Sequence, residues 1–238
     1  MITKAIIFDK DGTLMDFDSF WLPVTHNVIE ELKRDRKAAA ISESEILNAL
    51  GVEDDITNIN GVLCGGTYAQ TGRIMYDVLK SHGCQSTIKE VTEFVTDSYH
   101  RNWEKGIVKP TCDNIYEVLG RLKSYGIKLA VVTTDDPFVT KKCLQTLGID
   151  TLMDRVYTDD DDFPAKPNPY CIFDFLKRES LSKSEVVMVG DTLTDIAFAK
   201  NGGIKVIGVA KSDANKKVLA GETDVIIPDI SHIFEVLE

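Results

Sequence analysis

The chain has 238 residues, 43% of them hydrophobic and 27% charged, with a formal net charge of −11. The length suits one large domain or two modest ones, and the composition suits a packed globular core. The acidic balance argues against nucleic acid and anionic membrane as partners, because both demand basic patches, yet a bound cation and a lysine or two still admit a small anion.

The start, "MITKAIIFDKDG", carries no long apolar region of the signal-peptide kind. No apolar run anywhere reaches the ~18 residues of a membrane span. Within the start lies the first predicted strand, "AIIF" at 5–8. It lacks the alternation of a half-solvated sheet, as expected of a parallel strand covered on both faces.

Residues 17–105 contain no convincing strand. A capping box is expected at Ser42 and Glu45, with helix stops of the Gly51 or Gly83 type elsewhere. "TIKEVTEFVTDSYHRNW" has helical spacing, with Ile88, Val91, Phe94 and Val95 on one stripe. From about residue 107 strands and helices alternate. "CDNIYEVLGRLKSYG" reads as a helix closed by Gly126, and "LAVV" (129–132) as a strand. Asp136 and Pro137 read as N-cap and first residue of a helix that Gly148 closes, and Asn168 and Pro169 repeat the signature before "YCIFDFLKRE". "VVMV" (186–189), "VIGV" (206–209) and "VII" (225–227) complete the strands. The pattern predicts an α/β fold, a doubly wound parallel sheet with a helical domain inserted after the first strand. The expected boundaries are 1–16 and 106–238 for the sheet domain and 17–105 for the insertion.

Carboxylates gather at the strand ends. Asp9 and Asp11 follow "AIIF", and residues two apart in an extended chain face one side, with Lys10 pointing away. Asp191 and Asp195 follow "VVMV" on what reads as the start of a helix. Each pair alone has a plain structural reading, a turn or a helix cap. Four acids at neighbouring strand ends repel one another unless a cation sits among them, and oxygen ligands without His or Cys point to magnesium. Thr133 and Thr134, after "LAVV" and before a helix start, are candidates to hold a phosphate. Lys166, stiffened by Pro167 and Pro169, is placed to neutralise charge beside such a site. The acid run Asp159–Asp162 reads as a solvated loop face. The five cysteines (Cys64, Cys84, Cys112, Cys143, Cys171) are scattered, odd in number and without a CxxC, as in a reduced, cytoplasmic chain. No P-loop, GxGxxG or GxSxG signature is present.

"DKDGT", Thr133 after "LAVV", "KPNP" and "GDTLTD" occur in an order that resembles the haloacid dehalogenase superfamily, in its branch of phosphatases with an inserted helical cap. The resemblance covers roughly 1–16 and 106–238, and its nearest label is phosphoglycolate-phosphatase-like. It implies a Rossmann-like core and an aspartyl-phosphate mechanism on a small phosphorylated metabolite, a phosphoglycolate-like compound or a sugar phosphate. By that analogy Asp9 is the nucleophile and Asp11 the general acid/base, and Thr133 and Lys166 bind the transferring phosphoryl group. Magnesium is held by Asp9, the backbone carbonyl of Asp11 and Asp191, with Asp195 a ligand through water or a support behind it. The second acid, Asp11, argues for phosphate-ester chemistry over dehalogenation. "GVLCGGTYAQTG" (61–72) is the expected substrate-selecting loop of the cap, with Arg73 beyond it more readily a surface charge. A sugar-phosphate mutase of the β-phosphoglucomutase type is the alternative built from the same parts. A non-catalytic phosphate-binding regulatory protein is a third, and monomer and homodimer both stay open.

Overall fold

Alternate residues of the first strand point to two different cores. In a computed structural model describing residues 3–159, 163–223 and 225–237, β1 (Ala5–Phe8) buries Ile6 and Phe8 on one face and Ala5 and Ile7 on the other. No side of this strand meets water, which is why its sequence does not alternate.

The chain then leaves the sheet. It runs through α1 (Phe17–Asp35), α2 (Glu43–Leu50), a two-residue ladder of β2 (Val52–Glu53) with β3 (Ile56–Thr57), then α3 (Val62–Gly65), α4 (Tyr68–Ser81) and α5 (Ile88–Asn102). The expectation of no strand here is corrected by that antiparallel ladder, too short to leave a period-2 signal. Ser42 accepts from the Glu45 N–H at 3.1 Å, but the reciprocal half of the expected box is missing because the Glu45 carboxylate pairs with His82 at 2.8 Å. The α5 stripe is narrower than its spacing suggests. Val91 and Val95 are buried, whereas Ile88, in the first turn, is 39% exposed. Phe94 is half-buried and lies beneath the guanidinium groups of Arg36 and Arg101. Gly51, at φ +92°, closes α2 as read from the sequence.

The sheet resumes with α6 (Ile115–Ser124), β4 (Lys128–Val132), α7 (Pro137–Thr146), β5 (Arg155–Tyr157), α8 (Tyr170–Glu179), β6 (Val186–Gly190), α9 (Leu193–Gly202), β7 (Lys205–Val209), α10 (Asp213–Leu219) and β8 (Ile226–Ile227). All pairings are parallel and the order is β5-β4-β1-β6-β7-β8. Ile115, Val118, Leu119 and Leu122 of α6 cover one face; Ile172 and Phe175 of α8 with Phe198 of α9 cover the other. The fold is therefore a doubly wound α/β sheet with a mainly helical insertion after its first strand. At α7 the Asp136 carboxylate accepts from the N–H groups of Phe138 (2.6 Å) and Val139 (3.1 Å), with Pro137 leading the helix. Before α8 Pro169 takes the cap position, and Asn168 Oδ1 accepts from the Tyr170 N–H at 3.0 Å.

Two compact units result, residues up to Asp16 with those from Lys109 on, and Phe17–Val108. The second junction falls at 108/109 instead of the expected 105/106. Ile107 N–H donates to the Ser19 carbonyl of α1 at 2.9 Å, whereas Lys109 carbonyl accepts from Asp16 N–H at 2.9 Å. Strand β5 was hidden from periodicity. It is a three-residue edge strand with Arg155 and Val156 exposed and only Tyr157 buried. Among the described residues no helix is long and apolar enough to cross a membrane, and none of the five cysteines is in a disulfide. Of the predicted acidic loop face, residues 160–162 lie outside the described residues.

Candidate active site

Chain direction reverses around β1. The chain first adds β4 and β5 on one side, then β6, β7 and β8 on the other, so the crevice at the carboxyl ends of β1, β4 and β6 is a topological switch point, where open α/β sheets bind ligands. Asp9 stands one residue beyond β1, Thr133 one beyond β4 and Asp191 one beyond β6.

Three carboxylates meet there. One oxygen from each of Asp9, Asp191 and Asp195 lies within 4.8 Å of the others. Lys166 is the counterion. Its buried ammonium donates to Asp9 Oδ1 at 2.5 Å and Asp195 Oδ1 at 2.6 Å. Asp195 Oδ2 is occupied too, accepting from the Thr192 N–H at 3.0 Å and hydroxyl at 2.7 Å in a capping box for α9. Asp195 thus both caps a helix and anchors Lys166. The two readings of its sequence position are not exclusive. Thr13 Oγ1 donates to Asp191 Oδ1 at 3.1 Å.

Burial raises the Asp9 carboxyl to about 7; Asp195 and Asp11 push it the same way while Lys166 opposes them. Burial, with Asp9 and Asp195, likewise holds Asp191 well above the ordinary carboxylate range. Burial disfavours the charged form of Lys166, but Asp195 and Asp9 outweigh it and raise the ammonium's pKa. Three carboxylates and one ammonium leave a formal charge of −2 in a largely buried space. A hard divalent cation cancels that charge, and an all-oxygen donor set suits it.

Asp11 has a partner that its spacing does not foresee. Its carboxylate is not in the three-acid group; Oδ1 instead accepts from Lys10 Nζ at 2.7 Å. The spacing points Lys10 away from both carboxylates; instead it is fully buried, bonded to Asp11, and also contacts Asp135 Oδ2 at 3.0 Å. Burial disfavours its charge, yet Asp11 and Asp135 raise its pKa. The sequence alone assigns Lys10 no role and passes over Asp135 and Thr192. A lysine flanked by two aspartates looks like a surface residue, and only its 0% exposure shows otherwise. Thr133 is buried at the crevice. Its N–H donates to the Tyr157 carbonyl of β5 at 3.0 Å and its hydroxyl accepts from the Asp135 N–H at 3.2 Å. Thr134 follows it, half-buried.

Gly12 makes the turn between these groups. Its φ is +82°, and a Cβ there would overlap the Asp191 carboxylate. Gly12→Ala is expected to cost about 1–2 kcal/mol from backbone strain alone, and to displace Asp191 besides. A thermal melt and a phosphatase assay check both; an unshifted melt with full activity contradicts it.

In the helical unit, 61–72 is not an open loop. Gly61 and Gly66 flank the single turn α3, and Thr67 opens α4 with a complete capping box. Arg73 is an exposed residue of α4 paired with Asp77 at 3.0 Å, the surface charge expected.

The family model for haloacid dehalogenase-like hydrolases matches residues 3–203. The chain is similar to pyrophosphatase PpaX of Bacillus velezensis, 27% identical over 240 residues that cover 98% of this chain and 95% of the relative. It is equally similar to the phosphoglycolate phosphatase of Vibrio parahaemolyticus, 27% identical over 236 residues covering 98% and 96%. In fold it matches the crystal structure of a predicted phosphoglycolate phosphatase from Haemophilus somnus, with a TM-score of 0.74 over 98% of this chain and 97% of that one at 22% identity. Strand order, strand-end acids and family match agree: the chain belongs to the haloacid dehalogenase-like hydrolases and is a phosphatase-type enzyme, its two full-length relatives above being named a pyrophosphatase and a phosphoglycolate phosphatase.

Proposed function

We propose that this chain is a magnesium-dependent, cytoplasmic phosphatase that hydrolyses a small phosphorylated metabolite through an aspartyl-phosphate at Asp9. The observation that carries the reading is the Asp9 carboxylate, delivered by β1 into a buried crevice and fixed by Lys166 at 2.5 Å. A carboxylate nucleophile splits a very slow hydrolysis into two faster steps. In the first, an Asp9 oxygen bonds to phosphorus, the ester P–O bond breaks, and Asp11 gives its proton to the leaving oxygen. In the second, water adds to phosphorus, Asp11 takes a proton from it, and the bond to Asp9 breaks, restoring the carboxylate. Thr133 and Lys166, with Thr134 behind, hold the phosphoryl oxygens. Asp9, Asp191 and the Asp11 carbonyl would hold magnesium, whose charge offsets the repulsion between carboxylate and phosphate. Asp195, with both oxygens engaged, supports Lys166 and is not assigned a direct bond to the metal.

The names of the relatives supply two substrate classes, an ester of a small hydroxy acid and inorganic pyrophosphate. Sugar phosphates are a third. A magnesium-supplemented screen of phosphorylated metabolites, read as released phosphate, separates them. Sugar isomerisation with little phosphate release would point to a mutase, and binding without turnover to a sensor. Asp11→Asn is expected to lower kcat/KM for an unactivated phosphate ester about 10²–10⁴-fold.

The metal has its own test. Asp9 and Asp191 have raised pKa values, so their ionisation costs the folded, metal-free protein stability as pH rises from the unfolded-state range through about 7. Magnesium is expected to raise the melting temperature more at pH 8 than at pH 6. Its affinity should weaken below about pH 7, by up to about tenfold per pH unit for each ligand that must lose a proton to bind it. An equal shift at both pH values, or full activity in EDTA, contradicts the carboxylate site.

A further inference from the structure

Lys10 is fully buried, and its ammonium bridges Asp11 Oδ1 (2.7 Å) and Asp135 Oδ2 (3.0 Å). Burying a lysine ammonium carries a desolvation penalty that an apolar residue of the same volume avoids. What lysine adds at this position is the contact its ammonium makes. One partner is the acid read above as the proton carrier. The other is itself held from several directions. Asp135 Oδ1 accepts from the Asp136 N–H at 2.7 Å, Oδ2 from the Thr140 hydroxyl at 3.4 Å, and the Asp135 N–H donates to Thr133 Oγ1 at 3.2 Å. A line of contacts therefore runs from the first turn of α7 through Asp135 and Lys10 to Asp11.

We propose that Lys10 and Asp135 are positioning residues for proton transfer: Asp135 anchors Lys10, and Lys10 holds Asp11 by one carboxylate oxygen so that the other faces the leaving group. This rests on the reading of Asp11 as general acid/base. Proton transfer depends first on geometry, with the acid within hydrogen-bond reach of the reacting oxygen. A short aspartate on a turn gains that geometry when a rigid partner removes its rotational freedom. The Lys166 ammonium already supports the nucleophile; Lys10 does the corresponding work for the second acid.

The test is the dependence of kcat/KM on leaving-group basicity for p-nitrophenyl, p-chlorophenyl and phenyl phosphate, with magnesium present. This parameter covers the phosphorylation half, where a basic leaving oxygen needs a proton and p-nitrophenolate hardly does. Asp11→Asn is the reference and is expected to steepen the dependence. Lys10→Met is expected to steepen it too, with phenyl phosphate losing about tenfold more than p-nitrophenyl phosphate. In the Asp11→Asn background Lys10→Met should add no further steepening, the mark of residues acting as one unit. Asp135→Asn keeps the lysine and should give a smaller effect of the same sign; it decides the matter alone if Lys10→Met does not fold. If Asp11→Asn steepens the dependence but Lys10→Met and Asp135→Asn lower all three rates equally, the positioning role is overturned and the acid assignment stands. If Asp11→Asn itself leaves the dependence unchanged, the acid assignment falls and the positioning role with it.

Discussion

Asp9→Asn is expected to abolish turnover and leave the fold intact. An amide cannot form the acyl phosphate, and the loss of a covalent nucleophile is worth about 10⁴-fold or more in kcat. The second half of the expectation follows from charge. Asp9 is one of three clustered acids, two of which, Asp9 and Asp195, pair with Lys166, and burial pushes its carboxyl to about 7. Without a cation, its ionised form is a burden on the folded state. Asparagine keeps the shape and removes the charge, while Lys166 keeps Asp195 as its partner at 2.6 Å. In EDTA at pH 8 the variant should therefore melt no lower than the wild type, and it should lose most of the stabilisation by magnesium. Near-normal turnover of p-nitrophenyl phosphate by Asp9→Asn overturns the nucleophile assignment; a collapsed melt shows instead that the carboxylate is structural.

Lys166→Met has the opposite signature. Lys166 is the shared counterion of Asp9 and Asp195, and removing one partner of a buried ion pair costs about 3–5 kcal/mol because the remaining charge is left uncompensated. For a protein of this size that lowers the melting temperature by on the order of 10 °C. The deficit should be largest near pH 8 and shrink toward pH 5, since protonating Asp9 and Asp191 relieves the same repulsion. Activity should fall as well, because the phosphoryl group loses a fixed positive charge. A variant as stable as wild type across that range would mean the ammonium does not balance the acids.

Much of this site is legible in the chain because parallel strands deliver their end residues to one crevice. Once "AIIF", "LAVV" and "VVMV" are read as neighbours, Asp9, Thr133 and Asp191 share a location without further information. Asp195 and Lys166 follow because each lies near a helix start, a position with strong local rules. What stays hidden depends on burial and on long-range contacts. Lys10 shares its local pattern with a solvent-exposed lysine, and its pairing with Asp135 joins the end of β1 to the loop after β4. Strand β5 is three residues long with two exposed, so no period betrays it, yet its Tyr157 carbonyl is what Thr133 N–H binds. The ladder of β2 and β3 is shorter still. In the helical insertion, the glycines of 61–72 suggested a loop because Gly breaks helices on average, whereas here Gly72 packs inside α4 against Thr92, where any side chain would crowd its neighbour. The direction of Asp11 belongs to the same class. Extended geometry aims it with Asp9, but does not foresee that the adjacent lysine holds one of its oxygens.

The central claim, that Asp9 carries the phosphoryl group, is tested most directly by trapping it. The Asp11→Asn variant, slowed in hydrolysis of the acyl phosphate, is mixed with magnesium and p-nitrophenyl phosphate, quenched in acid and mapped by peptide mass spectrometry. The account predicts a hydroxylamine-labile phosphoryl group on Asp9. A phosphoryl group on another residue, or none on any residue while p-nitrophenolate is still released, would contradict it.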